Sequence, residues 1–224
     1  MSGTPEYAYG MWFVVLLNIG LVLAFVLSFL TPHRRVEWRS MGLFTAWIAA
    51  LFTEMYGFPL TIYLLTALFG RNYPVLDPFS HKNGHLLVAL FGGSTAVWVA
   101  VMLVTTALFW FGFSIMEKGW RQIHQAKGAL VTDGIYARIR HPQYTGLFMI
   151  VGALLIQWPT LLSILMAPIL VVAYVRLAQR EEREVETQFG LAYAEYRRQT
   201  PAFLPKVRTN NRRISSSAQD ISAS

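Results

Sequence analysis

The sequence predicts an all-α fold: a polytopic membrane helix bundle of about five transmembrane helices, including a C-terminal helical hairpin, with an amphipathic helix at the cytoplasmic face. Three observations predict it. The 224-residue chain is 54% hydrophobic and only 14% charged, against about 25% charged residues in a typical soluble domain. Its mean hydropathy is +0.41. Its apolar residues also gather into long runs, and a helix needs about 20 such residues to cross a bilayer.

The first run, Met11 to Leu30, is interrupted only by Asn18, which can bond between helices, and ends at Thr31-Pro32. Its flank lacks Lys and Arg in the first ten residues and shows no small-residue cleavage site, so it reads as a retained span. The second, Met41 to Phe69, contains Glu54 and Pro59. Proline deletes a backbone donor and clashes with the preceding turn, so a kink is expected there. The third runs from Leu86 to Phe113. Ser114 to Arg140 is too charged to span. Gln143–Gln157 and Thr160–Leu177 then form the hairpin around a Trp158-Pro159 turn, with Trp158 an interfacial anchor. Beyond Arg180, the spacing of Val185, Phe189, Ala192, Tyr193 and Tyr196 is helical and amphipathic, with a break at Gly190. At this spacing the two tyrosines read first as packing residues. From Val207 the tail holds too little apolar surface to order itself. The organisation is therefore a three-span region over 1–113, a site-bearing region over 114–206 and a disordered tail over 207–224.

The net charge of +7 is carried between and after the apolar runs, at Arg34, Arg35 and Arg39, over Lys118 to Arg140, and in the C-terminal region. That distribution is the one membrane orientation produces, and it argues against a nucleic-acid partner. It places the N-terminus outside and the C-terminus in the cytoplasm. With no cysteine, disulfides, thiolate metal sites and a Cys nucleophile are excluded. His81 and His85, four apart with Asp77 upstream, read as polar residues capping the third span rather than as metal ligands.

Two segments carry chemistry. In Gly134 to Gly146, Pro142 suits the first position of a helix, where its missing N–H costs nothing. The exposed amides of such a turn, with Arg140 and His141 beside them, attract an anion. The plain alternative is a basic, proline-started helix entering the membrane. In Arg176 to Glu182, two adjacent carboxylates end an apolar run, and residues one apart point about 100° apart. One glutamate can face a pocket while the other meets solvent or an arginine. Glu54, a carboxylate within an apolar run, is a further functional candidate.

Taken together, Gly134, Tyr136, Arg140-His141-Pro142, Tyr144, Gly146, Glu181-Glu182, Phe189-Gly190, Tyr193, Tyr196, Phe203 and Pro205 resemble the integral membrane methyltransferases, which include isoprenylcysteine carboxyl methyltransferases and phospholipid N-methyltransferases. The resemblance covers Lys127 to Pro205. It implies S-adenosylmethionine as cofactor, held by Gly134, Tyr136, His141, Pro142, Tyr144, Glu181 and Glu182 at the cytoplasmic side. Arg140, Tyr144 and Glu54 are the candidates for contact with the reacting groups. The acceptor would be lipophilic or small, an isoprenylcysteine-like carboxylate, a thiol or a lipid amine, entering from the bilayer. The competing readings are an NADPH-dependent membrane reductase, for which no 2′-phosphate site is evident, and a non-catalytic membrane protein, which has no need of the motif.

Overall fold

The computed structural model describes residues 10–29, 35–69 and 85–205, and the readings made for His81, Asp77 and the tail lie outside them. Every regular element among these residues is helical. α1 (Trp12–Phe29) turns Val15 inward and leaves Phe13, Leu16 and Leu21 exposed. Asn18 donates to Val14 O of its own helix, not to a neighbour. α2 (Arg35–Phe52) buries Phe44, Trp47, Ile48 and Leu51, a spacing that puts all of them on one helix face.

The second apolar run breaks rather than kinks. After α2 the chain widens into one π-helical turn (Thr53–Gly57), and Phe58 is extended ahead of Pro59, as the residue before a proline prefers. α3 (Leu60–Phe69) restarts beyond it. Glu54 caps that restart: its Oε2 accepts from Thr61 N at 2.7 Å. Thr61 Oγ1 in turn accepts from Leu161 N at 2.8 Å, tying α3 to the hairpin turn. This explains a buried carboxylate in an apolar run by the needs of a helix start.

The third apolar run is also divided. α4 (Leu86–Leu90) ends in a turn where Gly92 and Gly93 have φ of +85° and +68°, a region glycine enters at little cost. Ser94 then caps α5 (Thr95–Ala126) by accepting from Val97 N. α5 continues well past Phe113, so its C-terminal part takes up half of the segment expected to be non-spanning, and no break marks the boundary drawn at 113. α6 (Pro142–Gln157) starts at Pro142, as its sequence predicts, and returns along α5. α7 (Leu161–Phe189) opens with a capping box between Thr160 and Ser163. Its apolar part ends near Ala178, but the helix runs on through the charged residues to Phe189. Gly190 (φ +54°) breaks it, and α8 (Leu191–Gln199) folds back.

α5 and α7 are each long and apolar enough to cross a membrane. α7 packs on α2 through Leu170, Tyr174 and Leu177, and Trp47 Nε1 donates to Ser163 O at 2.9 Å. α5 and α6 approach closely enough that a Cβ on Gly146 would lie 2.3 Å from Gly112 O. At the hairpin turn, His85 Nδ1 bonds Gln157 O at 2.8 Å and its ring lies edge-on to Trp158, so its role there is structural.

Glu54 shares a small cavity with Trp158, Pro159 and Thr160, at the end of α6 remote from His141 and Tyr144. The 16 residues of α6 separate the two ends by about 24 Å. Glu54→Ala is therefore expected to lower stability by about 1–3 kcal/mol through the lost acceptor for Thr61 N. Ligand binding near Tyr144 should be unchanged. Thermal unfolding and ligand titration on the same preparation check both halves.

Candidate functional site

The site lies where the apolar parts of α6 and α7 give way to charge. α6 begins with His141 and Pro142, and α7 carries Glu181 and Glu182 just beyond its apolar part. Glu182 is buried, with its Oε1 2.9 Å from Arg140 Nε, 2.8 Å from Arg140 Nη2 and 2.8 Å from His141 Nε2. A carboxylate only accepts, so Nε2 carries the proton in that pair. Arg197 of α8 approaches Oε2 at 3.6 Å. Burial opposes ionisation of Glu182, but the bonds from His141 and Arg140 outweigh it and hold its carboxyl below the usual range.

Glu181 faces the other way, as the 100° step along the helix requires. Its side chain is 40% exposed, it accepts from the Tyr144 hydroxyl, and its Oε2 lies 3.9 Å from His141 Nδ1. The buried Tyr144 ring stacks on His141 at 5.8 Å.

The C-terminal segment locks this corner from outside. Arg140 N and His141 N donate to Pro201 O and Ala202 O at 2.9 Å each, and Thr145 Oγ1 donates to Phe203 O at 2.9 Å. Arg140 Nη1 donates to Arg197 O and Thr200 O. Nε, Nη1 and Nη2 of Arg140 therefore all have protein partners. The guanidinium builds part of the wall of the site.

Beside this cluster is an open cleft of about 210 Å³. Tyr136, Arg140, His141, Pro142, Tyr144, Glu181 and Glu182 all border it, so seven of the sequence candidates meet in one place. Apolar walls come from Ile123, Leu130, Val131, Val185 and Phe189, and α8 contributes Tyr193 and Tyr196. Burial pushes the Tyr193 phenol up to about 12, with the Glu182 charge adding to it. Burial likewise raises Tyr136 and Tyr196. All three are hydroxyl donors at neutral pH. Tyr196 donates to Tyr136 O at 2.7 Å and pins α8 to the loop before α6.

Two candidates stand apart. Gly134 does not border the cleft; it holds a φ of +56° in the preceding turn, where a Cβ would strike the Gln122 side chain. That side chain accepts from Ile135 N at 3.1 Å. Glu54 lies at the far end of α6. Sequence reasoning missed Gln122, Thr145 and Arg197, and it missed the stretch 128–131 as a cleft wall. Only the small residues Gly112 and Gly119 carried a usable signal, since such spacing in an apolar helix marks close helix contact. Among the described residues no group of three or more His, Asp or Glu side chains could hold a metal ion.

The family model described as phospholipid methyltransferase matches residues 88–192. A protein-S-isoprenylcysteine O-methyltransferase from Schizosaccharomyces pombe is 33% identical over 79 residues, 35% of this chain and 34% of that protein. The cobalt-zinc-cadmium resistance protein CzcN from Cupriavidus metallidurans is 28% identical over 124 residues, 53% of this chain and 57% of that protein. The chain thus spans about a third of one relative and a little over half of the other. No solved structure matches it. With the Arg140 to Glu182 constellation assembled inside the matched region, the chain is similar to the membrane methyltransferases that include the isoprenylcysteine and phospholipid enzymes.

Proposed function

We infer that the protein transfers a methyl group from S-adenosylmethionine to a lipophilic or small acceptor at the membrane. The observation that carries this reading is the cleft itself: an apolar groove ending in Tyr144, His141 and two carboxylates with separate tasks. These residues fit the cofactor chemically. Apolar and aromatic walls suit an adenine ring, Glu181 suits an ammonium or a ribose diol, and Tyr193 offers a hydroxyl donor. When bound, S-adenosylmethionine supplies a methyl group activated on a sulfonium.

The chain's own contribution is placement. Glu182, Arg140 and His141 fix the first turn of α6, so Tyr144 points into the cleft at a set angle. Tyr193 and Tyr196 close the side toward solvent and exclude water. An acceptor amine or thiol must lose a proton, and Glu181, bonded to the Tyr144 hydroxyl, is the base within reach; a carboxylate acceptor needs none. The same reading places five crossings at α1, α2–α3, α5, α6 and α7, with the cleft on the cytoplasmic side. It assigns the region before residue 114 to acceptor choice and 114–206 to the cofactor.

Direct binding to the detergent-purified chain tests it. S-adenosylmethionine and S-adenosylhomocysteine are expected to bind saturably and NADPH not to. Tyr144→Phe should weaken binding of both by about tenfold, the worth of one hydrogen bond. Binding of NADPH alone would replace this reading with a reductase.

A further inference from the structure

α7 presents two opposite faces. Ser163, Ala167, Leu170, Tyr174, Ala178 and Glu182 are buried on the first, toward the bundle and the cleft. The second is exposed along its whole length and changes chemistry once. Leu162, Leu165, Ile169 and Val172 are exposed apolar residues, 43%, 69%, 60% and 49% accessible. One turn on, the same stripe continues as Arg176, Gln179, Arg180 and Arg183, all exposed. At 100° per residue these eight positions fall within about 60° of one line down the helix.

The three arginines occupy about 10 Å of helix, at the point where the apolar part of α7 stops. Among the described residues none of them is in an ion pair. Three of the neighbouring carboxylates are turned elsewhere: Glu181 to Tyr144, Glu182 to Arg140 and His141, Glu186 to Arg197. Arg183 and Gln179 also border a cavity of about 270 Å³ shared with Arg197 and the flank of Glu182, between α7 and α8.

We propose that this stripe is a binding site for an anionic phospholipid, separate from the cleft and independent of the methyltransferase reading. Acyl chains lie along Leu162 to Val172, and the headgroup phosphate is held by Arg176, Arg180 and Arg183. The occupant follows from charge complementarity and from the apolar-to-cationic change along one exposed line. A protein partner would have to bury the apolar half within the bilayer and neutralise the cationic half outside it. A lipid does both with one molecule. Arginine also suits a phosphate, which its guanidinium can grip through two N–H groups.

The test uses the full chain in detergent, titrated with phosphatidylglycerol or phosphatidylcholine and read by native mass spectrometry. Phosphatidylglycerol is expected to bind about tenfold or more tightly than phosphatidylcholine, since each arginine near an anionic headgroup contributes. R176Q/R180Q/R183Q should abolish that preference, and R180Q alone should reduce it. R121Q/R138Q/R198Q, which removes as much charge elsewhere, should retain it. Inorganic phosphate at matched ionic strength should not displace the lipid. Equal binding of the two lipids, a preference that survives the first triple substitution, or displacement by inorganic phosphate would each overturn the site. Should that triple variant fail to fold by circular dichroism, R180Q and the two-lipid comparison on the unsubstituted chain decide the matter.

Discussion

Glu182→Gln is expected to destabilise the protein by about 3–5 kcal/mol, the usual cost of removing one partner from a buried ion pair. The substitution leaves Arg140 and His141 facing a neutral amide, whose oxygen still accepts but carries no charge, and turns an N–H₂ donor toward Arg197. Arg140 keeps its bonds to Arg197 O and Thr200 O, but loses the charge that faces it inside the protein. Because Arg140 and His141 also fix the start of α6 through Pro201 and Ala202, the damage reaches the cleft. Affinity for S-adenosylhomocysteine should fall by at least about thirtyfold, as when one member of a buried charge pair is lost at a binding site.

The contrasting substitution is Glu181→Gln. Glu181 is partly exposed and outside the Arg140 pair, so stability should move by less than about 1 kcal/mol, while affinity still falls. Thermal unfolding and calorimetric titration on both variants separate the roles. If the two behaved alike, the division between a wall-building and a ligand-facing glutamate would be wrong. Acid adds a second signature. The Glu182 carboxyl is held below its ordinary value of 4.5 in the folded chain. Its ionisation therefore stabilises fully above that value, and the stabilisation is lost as pH falls through the lower folded value. The Gln variant should lose that part of the acid transition.

Adjacent glutamates at the end of an apolar run already announce that one faces inward, because neighbours on a helix cannot share a face. Pro142 likewise declares the start of α6, and the Trp158-Pro159 turn the hairpin. Which glutamate pairs with Arg140, however, depends on the rotation of α7 against α6, set by packing of Leu147, Leu170, Tyr174 and Ala178 across 30 residues of sequence. Of the stretch Pro201 to Phe203, only Phe203 stood in the motif. The physical role of the stretch is made by carbonyls, which every residue has, so no side chain could reveal it. The place of Glu54 was hidden for a related reason. A carboxylate in an apolar run suggests function, yet its partner is the backbone N–H of Thr61, and a backbone partner leaves no mark in sequence. The long apolar runs hid their interruptions at Thr53–Gly57 and Phe91–Gly93, because hydropathy averages over the turn residues that make them.

Gly146→Ala is expected to do to the site from the side what Glu182→Gln does from within. A Cβ at 146 would lie 2.3 Å from Gly112 O, 3.1 Å from Met116 N and 3.0 Å from Met116 Cβ. The seam is reciprocal: a Cβ on Gly112 would lie 2.7 Å from Gly146 O, and one on Gly119 would lie 2.7 Å from Pro142 Cγ. Gly112, Met116 and Gly119 form one stripe of α5, and Pro142 and Gly146 one stripe of α6, so backbones meet where small residues face each other. Two of the obstructing atoms belong to the backbone, which no rotamer change can move. The helices must separate, at a cost of about 1–3 kcal/mol or more for such overpacking. Tyr144 is two residues from the inserted methyl and His141 five, so the separation carries them away from Glu181 and Glu182. A displacement near 1 Å at a reacting centre costs about a hundredfold in rate, and methyl transfer should fall accordingly. Gly152→Ala is the control. It lies on the same helix, a Cβ there meets nothing within 4 Å, and the alanine should stabilise α6 by about 0.5–1 kcal/mol with unchanged affinity. Unfolding and S-adenosylhomocysteine titration on the pair give the answer. A Gly146→Ala chain that bound its ligand like the Gly152→Ala chain would show that the α5–α6 seam does not set the geometry of the cleft. Selective loss at 146 would show that the close approach of two glycines holds Tyr144 and His141 in register with the glutamates of α7.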